Sequence, residues 1–323
     1  MLAANKTDAI SAPVSHPRRI LFVTLSNIGD AILTTPTLES LHRRFPDALI
    51  DIVADERSAI IFRDCPYRGQ IFIKKKRSGL PGLFELVSQL RQTTYDLAVD
   101  LRTDGLLWLI RAREKVSKKS NRATMHLHSV EKHWDCIRHY VAPPIPATQI
   151  WLSSAQKEKA RELLPLATRH GRILALGLGA NFQGKIWPVT AFAELAKKLT
   201  EIHALFDHVM LLGDQRDKAL SQLFLQYYGK PVLDFCGRLD ILETAAMLQS
   251  ADYFVGNDSG LGHIASAVGI PTYTVFGVGQ PHRYRPWGEH AAWVQSPDRC
   301  VGSVEATAVA SAIITHLGLI KLD

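Results

Sequence analysis

The stretch "FVGNDSGLGHIASAVGIPTYTVFG" (residues 254–277) runs from an apolar segment through Gly-Asn-Asp-Ser-Gly into a segment of helical spacing, then into a second apolar segment. That order predicts strand, tight turn, helix and strand, the repeating unit of a parallel α/β sheet. Asp258 or Ser259 is placed to cap the helix over 259–269. Gly260 and Gly262 allow close backbone approach, and the helix N-terminus offers N–H groups and a positive dipole end to an anion. His263 lies about one turn in, where its ring either reaches the same crevice or packs as a core histidine.

The same alternation extends outward along the chain. Strands are expected at "RILFVTL" (19–25), "ALIDIVAD" (48–55), "YDLAVDLR" (95–102), "RILALGLGA" (172–180), "HVMLLGD" (208–214), "YFVGND" (253–258) and "PTYTVFG" (271–277). Helices are expected over 30–45, 83–93, 190–202, 259–269 and the end "SVEATAVASAIITHLGLI" (303–320). Around 141–152 the pattern breaks at Pro143, Pro144 and Pro146, which suit a linker and not a helix or a central strand. Two doubly wound parallel-sheet domains follow: a tail over 1–18, a first domain over 19–147 and a second over 148–323, with the last helix free to pack back toward the first. Ligands of open α/β sheets bind at the carboxyl ends of the strands, here a cleft between the domains.

Composition bounds the function classes. The 323 residues are 46% hydrophobic and 21% charged, as in a globular protein. No apolar run approaches the ~20 residues of a membrane span, and the N-terminus lacks the apolar core of a signal peptide. Cys65, Cys136, Cys236 and Cys300 lie far apart with no CxxC pair, so neither a disulfide framework nor a metal site is expected, and the cytoplasm is the expected compartment. The net charge of +7 calls for an anionic partner. Nucleic acid is not expected, because no helix-turn-helix, zinc-finger or RNP signature is present.

Three further stretches carry chemistry. "LGLGANFQGKIWP" (176–188) places Gly179 in a turn after a strand and Lys185 in the same loop, a donor-rich turn with a cation for a diphosphate; without a Walker A sequence, hydrolysis of that type is not expected. "LLGDQRD" (211–217) sets Asp214 at a strand end, to accept from a sugar hydroxyl or to cap the next helix. "LSNIGDAILTTPTL" (25–38) sets Asp30 at the start of a helix and at the mouth of the cleft. There it is a cap, a nucleotide ligand or a base that deprotonates an attacking hydroxyl. The turn "SNIGD" is not GxGxxG, which disfavours a nicotinamide dehydrogenase.

Taken together, "GDAILTTPTLESLHRRFP", "GANFQGKIWP" and "GNDSGLGHIASAVGIPTYTVFG", in this order, resemble the ADP-heptose:lipopolysaccharide heptosyltransferases of glycosyltransferase family 9. The resemblance implies a GT-B fold: two Rossmann-like domains facing across a cleft, acceptor on the first and nucleotide sugar on the second. It implies inverting, metal-independent transfer of a heptose from ADP-heptose to the lipopolysaccharide inner core, with no cofactor. It further implies Asp30 as general base, Lys185 on the diphosphate, and Asp258, Ser259, Gly260 and His263 in the donor signature. Asp214 stands where many members carry a ribose-binding glutamate. Ser259 stands where threonine is common, and Thr24 where some members have lysine. The basic runs "IKKKRSG" (73–79) and "RAREKVSKKSNR" (111–122) are then expected either to meet the anionic acceptor and the inner-membrane surface or to be solvated loops. Lys74, Lys75, Lys76 and Arg102 are the acceptor-side candidates, and the protein is expected to be peripheral on the cytoplasmic face. A sugar-nucleotide epimerase of similar architecture, a relative using another nucleotide sugar, and a non-catalytic glycan- or nucleotide-binding module are the alternatives.

Overall fold

The computed structural model describes residues 16–102, 105–118, 124, 126–168 and 170–320. The tail through residue 15, the 119–122 end of the second basic run and the Lys76 side chain lie outside the described residues. The first sheet is built from β1 (Arg19–Val23), β2 (Leu49–Asp55), β3 (Arg68–Lys74), β4 (Tyr95–Asp100) and β5 (Ala112–Ser117), all parallel in the order β3-β2-β1-β4-β5. Around it lie α1 (Ile28–Ile32), α2 (Thr35–Arg44), α3 (Gly79–Leu90), α4 (Leu106–Leu109) and α5 (Ser129–Trp134). After the proline-rich stretch come α6 (Ser154–Leu163), β6 (Ile173–Gly177), α7 (Val189–Lys197), β7 (His208–Leu212), α8 (Lys218–Tyr228), β8 (Leu233–Asp234), α9 (Ile241–Leu248), β9 (Tyr253–Asn257), α10 (Gly260–Ala267), β10 (Thr272–Phe276), α11 (Pro281–Tyr284), β11 (Ala291–Gln295) and α12 (Ala306–Ile320). Their strands form a second parallel sheet, β11-β10-β9-β6-β7-β8.

Both sheets reverse strand order once, between β1 and β4 and between β6 and β9. These are the switch points at which open α/β sheets hold ligands. The central strands read as unbroken apolar runs because both of their faces are covered; β6, β9 and β10 are buried throughout. At the edge, β5 alternates instead, with Arg113, Lys115 and Ser117 turned to solvent. Much of the second basic run is therefore an edge strand, where charge deters pairing with another chain, and not a loop.

Two expectations need correction. The helix expected over 30–45 is two helices, because the Thr34 and Thr35 hydroxyls donate back to the carbonyls of Ala31 (2.6 Å) and Ile32 (2.7 Å), and Pro36 has no N–H to continue the ladder. The last helix does not return to the first half. α12 packs on α7 and buries Val309, Ala310 and Ile313 in the second half's own core.

The halves meet where α1 packs against α10. One apolar cluster runs from Phe22 and Ile52 to Phe254 and Ile264, so packing is continuous beneath the cleft. Among the described residues no helix is long and apolar enough to cross a membrane.

Candidate active site

The wall on the second sheet is built around Asn257, the last residue of β9 and fully buried. Its amide donates to Leu178 O (2.8 Å), and its Oδ1 accepts from the Trp187 backbone N–H (2.9 Å). One side chain thus staples both ends of the glycine-rich loop to the switch point. Trp187 locks the far end: its indole is buried and donates to Val304 O at 2.9 Å. Between these anchors a short 3-10 turn carries Lys185, whose Nζ lies 2.6 Å from Asp258 Oδ2. The expected diphosphate lysine is therefore held in place by a carboxylate from the signature turn.

Ser259 is the N-cap of α10, but neither it nor Asp258 makes a capping bond. The expected cap is absent, and the first-turn N–H groups of α10 receive no side-chain acceptor. Ser259 Oγ and His263 Nδ1 are both buried without a hydrogen-bond partner. Buried polar groups in folded proteins are paired in the great majority of cases, so two orphans beside an uncapped helix N-terminus fit an anionic, hydrogen-bonding ligand. Burial, above all, lowers the pKa of the His263 imidazole; Lys185 adds to the fall, while Asp258 and Asp30 oppose it.

That last contribution comes from the other half of the molecule. Asp30 sits in the first turn of α1, just past the carboxyl end of β1. It is not the N-cap, which is Asn27, and its Oδ2 accepts from Asn27 Nδ2 at 2.9 Å. The carboxylate is thus oriented by a side chain and is not used up on the helix backbone. Gly29 touches the opposite wall directly: a Cβ there would stand 2.6 Å from His263 Cδ2. Because His263 is buried and cannot yield, Gly29→Ala is expected to cost about 1–3 kcal/mol of stability by overpacking. Urea unfolding would measure that loss, and an unchanged midpoint would show that the seam opens freely.

Asp30, Lys185, Asp258, Ser259, Gly260 and His263 therefore converge on one seam, and Gly179 lies in the adjoining loop, its carbonyl 3.4 Å from Asn257 Nδ2. Asp214 does not join them. Its carboxylate is held by Arg216 (2.5 Å) and is half exposed; that hydrogen bond lowers its pKa. Asp217, three residues on, lies against Gly179 and Gly213, where an added Cβ would collide with its carboxylate. Burial raises its pKa, and it accepts from the Asp214 N–H at 2.9 Å. Of the two roles that the sequence leaves open for Asp214, the structure shows the cap, its carboxylate accepting from the Arg216 N–H at 2.7 Å.

The acceptor-side candidates are dispersed. Arg102 is paired with Asp55 (2.9 Å), donates to Ser26 Oγ (2.9 Å) and is nearly buried. It braces the turn that carries Asp30 and does not present a free cation. Lys75 pairs with the exposed Glu85 at 3.6 Å, and Lys74 ends β3 at the same edge of the sheet. Among the described residues no three His, Cys, Asp or Glu side chains are grouped to hold a metal ion.

Comparison with known proteins shows the family and the fold. The family model described as glycosyltransferase family 9 (heptosyltransferase) matches residues 83–313. Lipopolysaccharide heptosyltransferase 3 of Escherichia coli K12 is 26% identical over 294 residues, covering 81% of this chain and 83% of that protein. The crystal structure of the family 9 glycosyltransferase from Veillonella parvula superposes with a TM-score of 0.82 at 19% identity, covering 93% of this chain and 97% of that one. The E. coli heptosyltransferase WaaC solved with ADP gives 0.72 at 19% identity, covering 92% and 99%. The two-sheet arrangement is the GT-B fold.

Proposed function

Given that the chain belongs to glycosyltransferase family 9, the heptosyltransferase family, we propose that it moves a heptose from ADP-heptose to the inner core of lipopolysaccharide by a single inverting displacement. Residues 19–147 hold the acceptor and 148–323 the donor. The observation that carries this reading is the convergence on His263 of Asp30, from the first half, and of the Lys185–Asp258 pair, from the second. A displacement needs a base on one side of the anomeric carbon and a stabilised leaving group on the other.

The Asp30 carboxylate takes the proton of the acceptor hydroxyl as the oxygen attacks the anomeric carbon. The bond from that carbon to the diphosphate oxygen breaks, and ADP departs with the electron pair. Lys185, Ser259 Oγ and the uncapped N–H groups of α10 face the growing negative charge. Asp258 keeps Lys185 aimed. His263, neutral in its buried setting, packs the seam and offers Nδ1 to the donor. Asp217 replaces Asp214 as the carboxylate that accepts from the ribose. The acceptor is anchored in the inner membrane, so the enzyme acts as a peripheral protein on the cytoplasmic face.

Donor titration by calorimetry tests the assignment. Asp217→Asn is expected to weaken ADP-heptose binding roughly tenfold or more, the worth of a hydrogen bond to a charged group, and Asp214→Asn to leave it nearly unchanged. The reverse order would return the ribose to Asp214, and equal affinity for an unrelated nucleotide sugar would remove ADP-heptose as the donor.

A further inference from the structure

The exposed apolar side chains of the first half are concentrated on one layer. α3 turns Leu83, Leu86, Val87 and Leu90 inward but presents Leu80 (68% exposed) and Phe84 (70%) one turn apart on its outer side. α4 lies in the same layer, since Leu106 and Leu107 share the α3 core cluster and Arg91, after α3, donates to Leu109 O at 2.7 Å. Its Trp108 is 87% exposed, more than any other large apolar side chain described. Large apolar side chains left this exposed on one layer suit a surface that a partner covers.

Charge identifies the occupant. Residues 74–91 hold five basic side chains and one acidic, Glu85, and Glu85 already pairs with Lys75. Arg77 stands exposed one turn before Leu80, and Arg111 and Lys115 lie exposed just beyond α4. Aromatic and aliphatic groups framed by cations match the interfacial zone of an anionic bilayer, where the rings sit at headgroup depth and each cation meets lipid phosphate. A protein partner would ordinarily bring complementary acidic groups without a need for three isolated apolar protrusions.

We propose that Leu80, Phe84 and Trp108, framed by Lys75 and Arg77, dock the protein onto an anionic lipid bilayer. The surface follows from exposure and charge, while its use rests on the membrane-anchored acceptor proposed above. α3 starts past the carboxyl end of β3, the edge at which β1 delivers Asp30, with Leu80 and Phe84 in its first turns, while Trp108 lies toward its far end, near Arg91. Docking there holds the acceptor side of the cleft close to the lipid from which an anchored acceptor emerges.

The test uses the full chain with vesicles of phosphatidylcholine, alone or mixed with phosphatidylglycerol, and needs no sugar nucleotide, so it fails or succeeds independently of the catalytic reading. Wild-type protein is expected to sediment with the mixed vesicles, less so at high salt, and weakly with neutral ones. The triple variant Leu80→Ser, Phe84→Ser, Trp108→Ser should lose that binding by about tenfold or more, with unchanged thermal unfolding and unchanged transfer to a deacylated, soluble acceptor. Comparing wild type with Trp108→Phe should show that a blue-shifted emission on mixed vesicles comes from Trp108. Equal vesicle binding by wild type and triple variant, or no binding by wild type, would overturn the proposal. So would a solution dimer that the triple variant dissolves without any effect on vesicles.

Discussion

Asp30→Asn is expected to lower heptose transfer by roughly 10²–10⁴-fold, the usual worth of a positioned general base, while leaving ADP-heptose affinity within about twofold and the unfolding temperature nearly unchanged. Three structural facts fix these expectations. The side chain is not the N-cap of α1, so its loss removes no backbone bond. Its one hydrogen bond comes from Asn27, and an asparagine of the same shape can keep a contact there. It lies on the first half, away from Lys185 and the glycine-rich loop that face the donor. A transfer assay read by mass, beside donor calorimetry and a thermal melt, separates the roles. Full turnover would make Asp30 a structural residue of the turn, and a large fall in donor affinity would make it a nucleotide ligand.

Lys185→Ala is expected to act on both binding and rate. Removing a cation that faces the leaving diphosphate should slow transfer by roughly 10²–10³-fold and weaken ADP-heptose binding. It also strands Asp258, whose carboxylate is mostly buried, so the single variant should be less stable as well. The double variant Lys185→Ala, Asp258→Ala separates these effects. Removing the stranded charge should restore much of the stability and none of the rate. If the double variant recovered transfer, the pair would be a structural strut and not the group that meets the diphosphate.

Much of the architecture can be read from residue pattern alone. Unbroken apolar runs such as "ILALG" and "YFVGN" announce parallel strands buried on both faces, and the prolines at 143–146 announce the interruption between the sheets. The edge strand β5 escapes that reading because "AREKVS" carries three charged residues in a row and looks like a basic loop until β4 pairs with it. The break between α1 and α2 is written in Thr34, Thr35 and Pro36, yet it competes with a helical spacing that runs straight across it. At the site, the residue types of the three motifs indicate chemistry but not partners. Asp258 looks like a cap and is instead the anchor of Lys185. Arg102 looks like a free cation but is bound to Asp55, 47 positions away in sequence. Gly29 looks like a turn residue, and the fold requires its lack of a side chain because His263 arrives from the other half. Asn257 gives no chemical signal at all, though its buried amide joins the two ends of the loop. In each case the deciding fact is a long-range contact that no local pattern encodes.

Incubating the wild-type protein with ADP-heptose and a panel of truncated lipopolysaccharides, and weighing the acceptors by mass spectrometry, tests the transfer reaction most directly. One acceptor is expected to gain the mass of a single heptose as ADP accumulates in equal amount, and Asp30→Asn is expected to abolish that gain. An altered sugar nucleotide with every acceptor unchanged in mass would contradict the proposal and point to epimerisation.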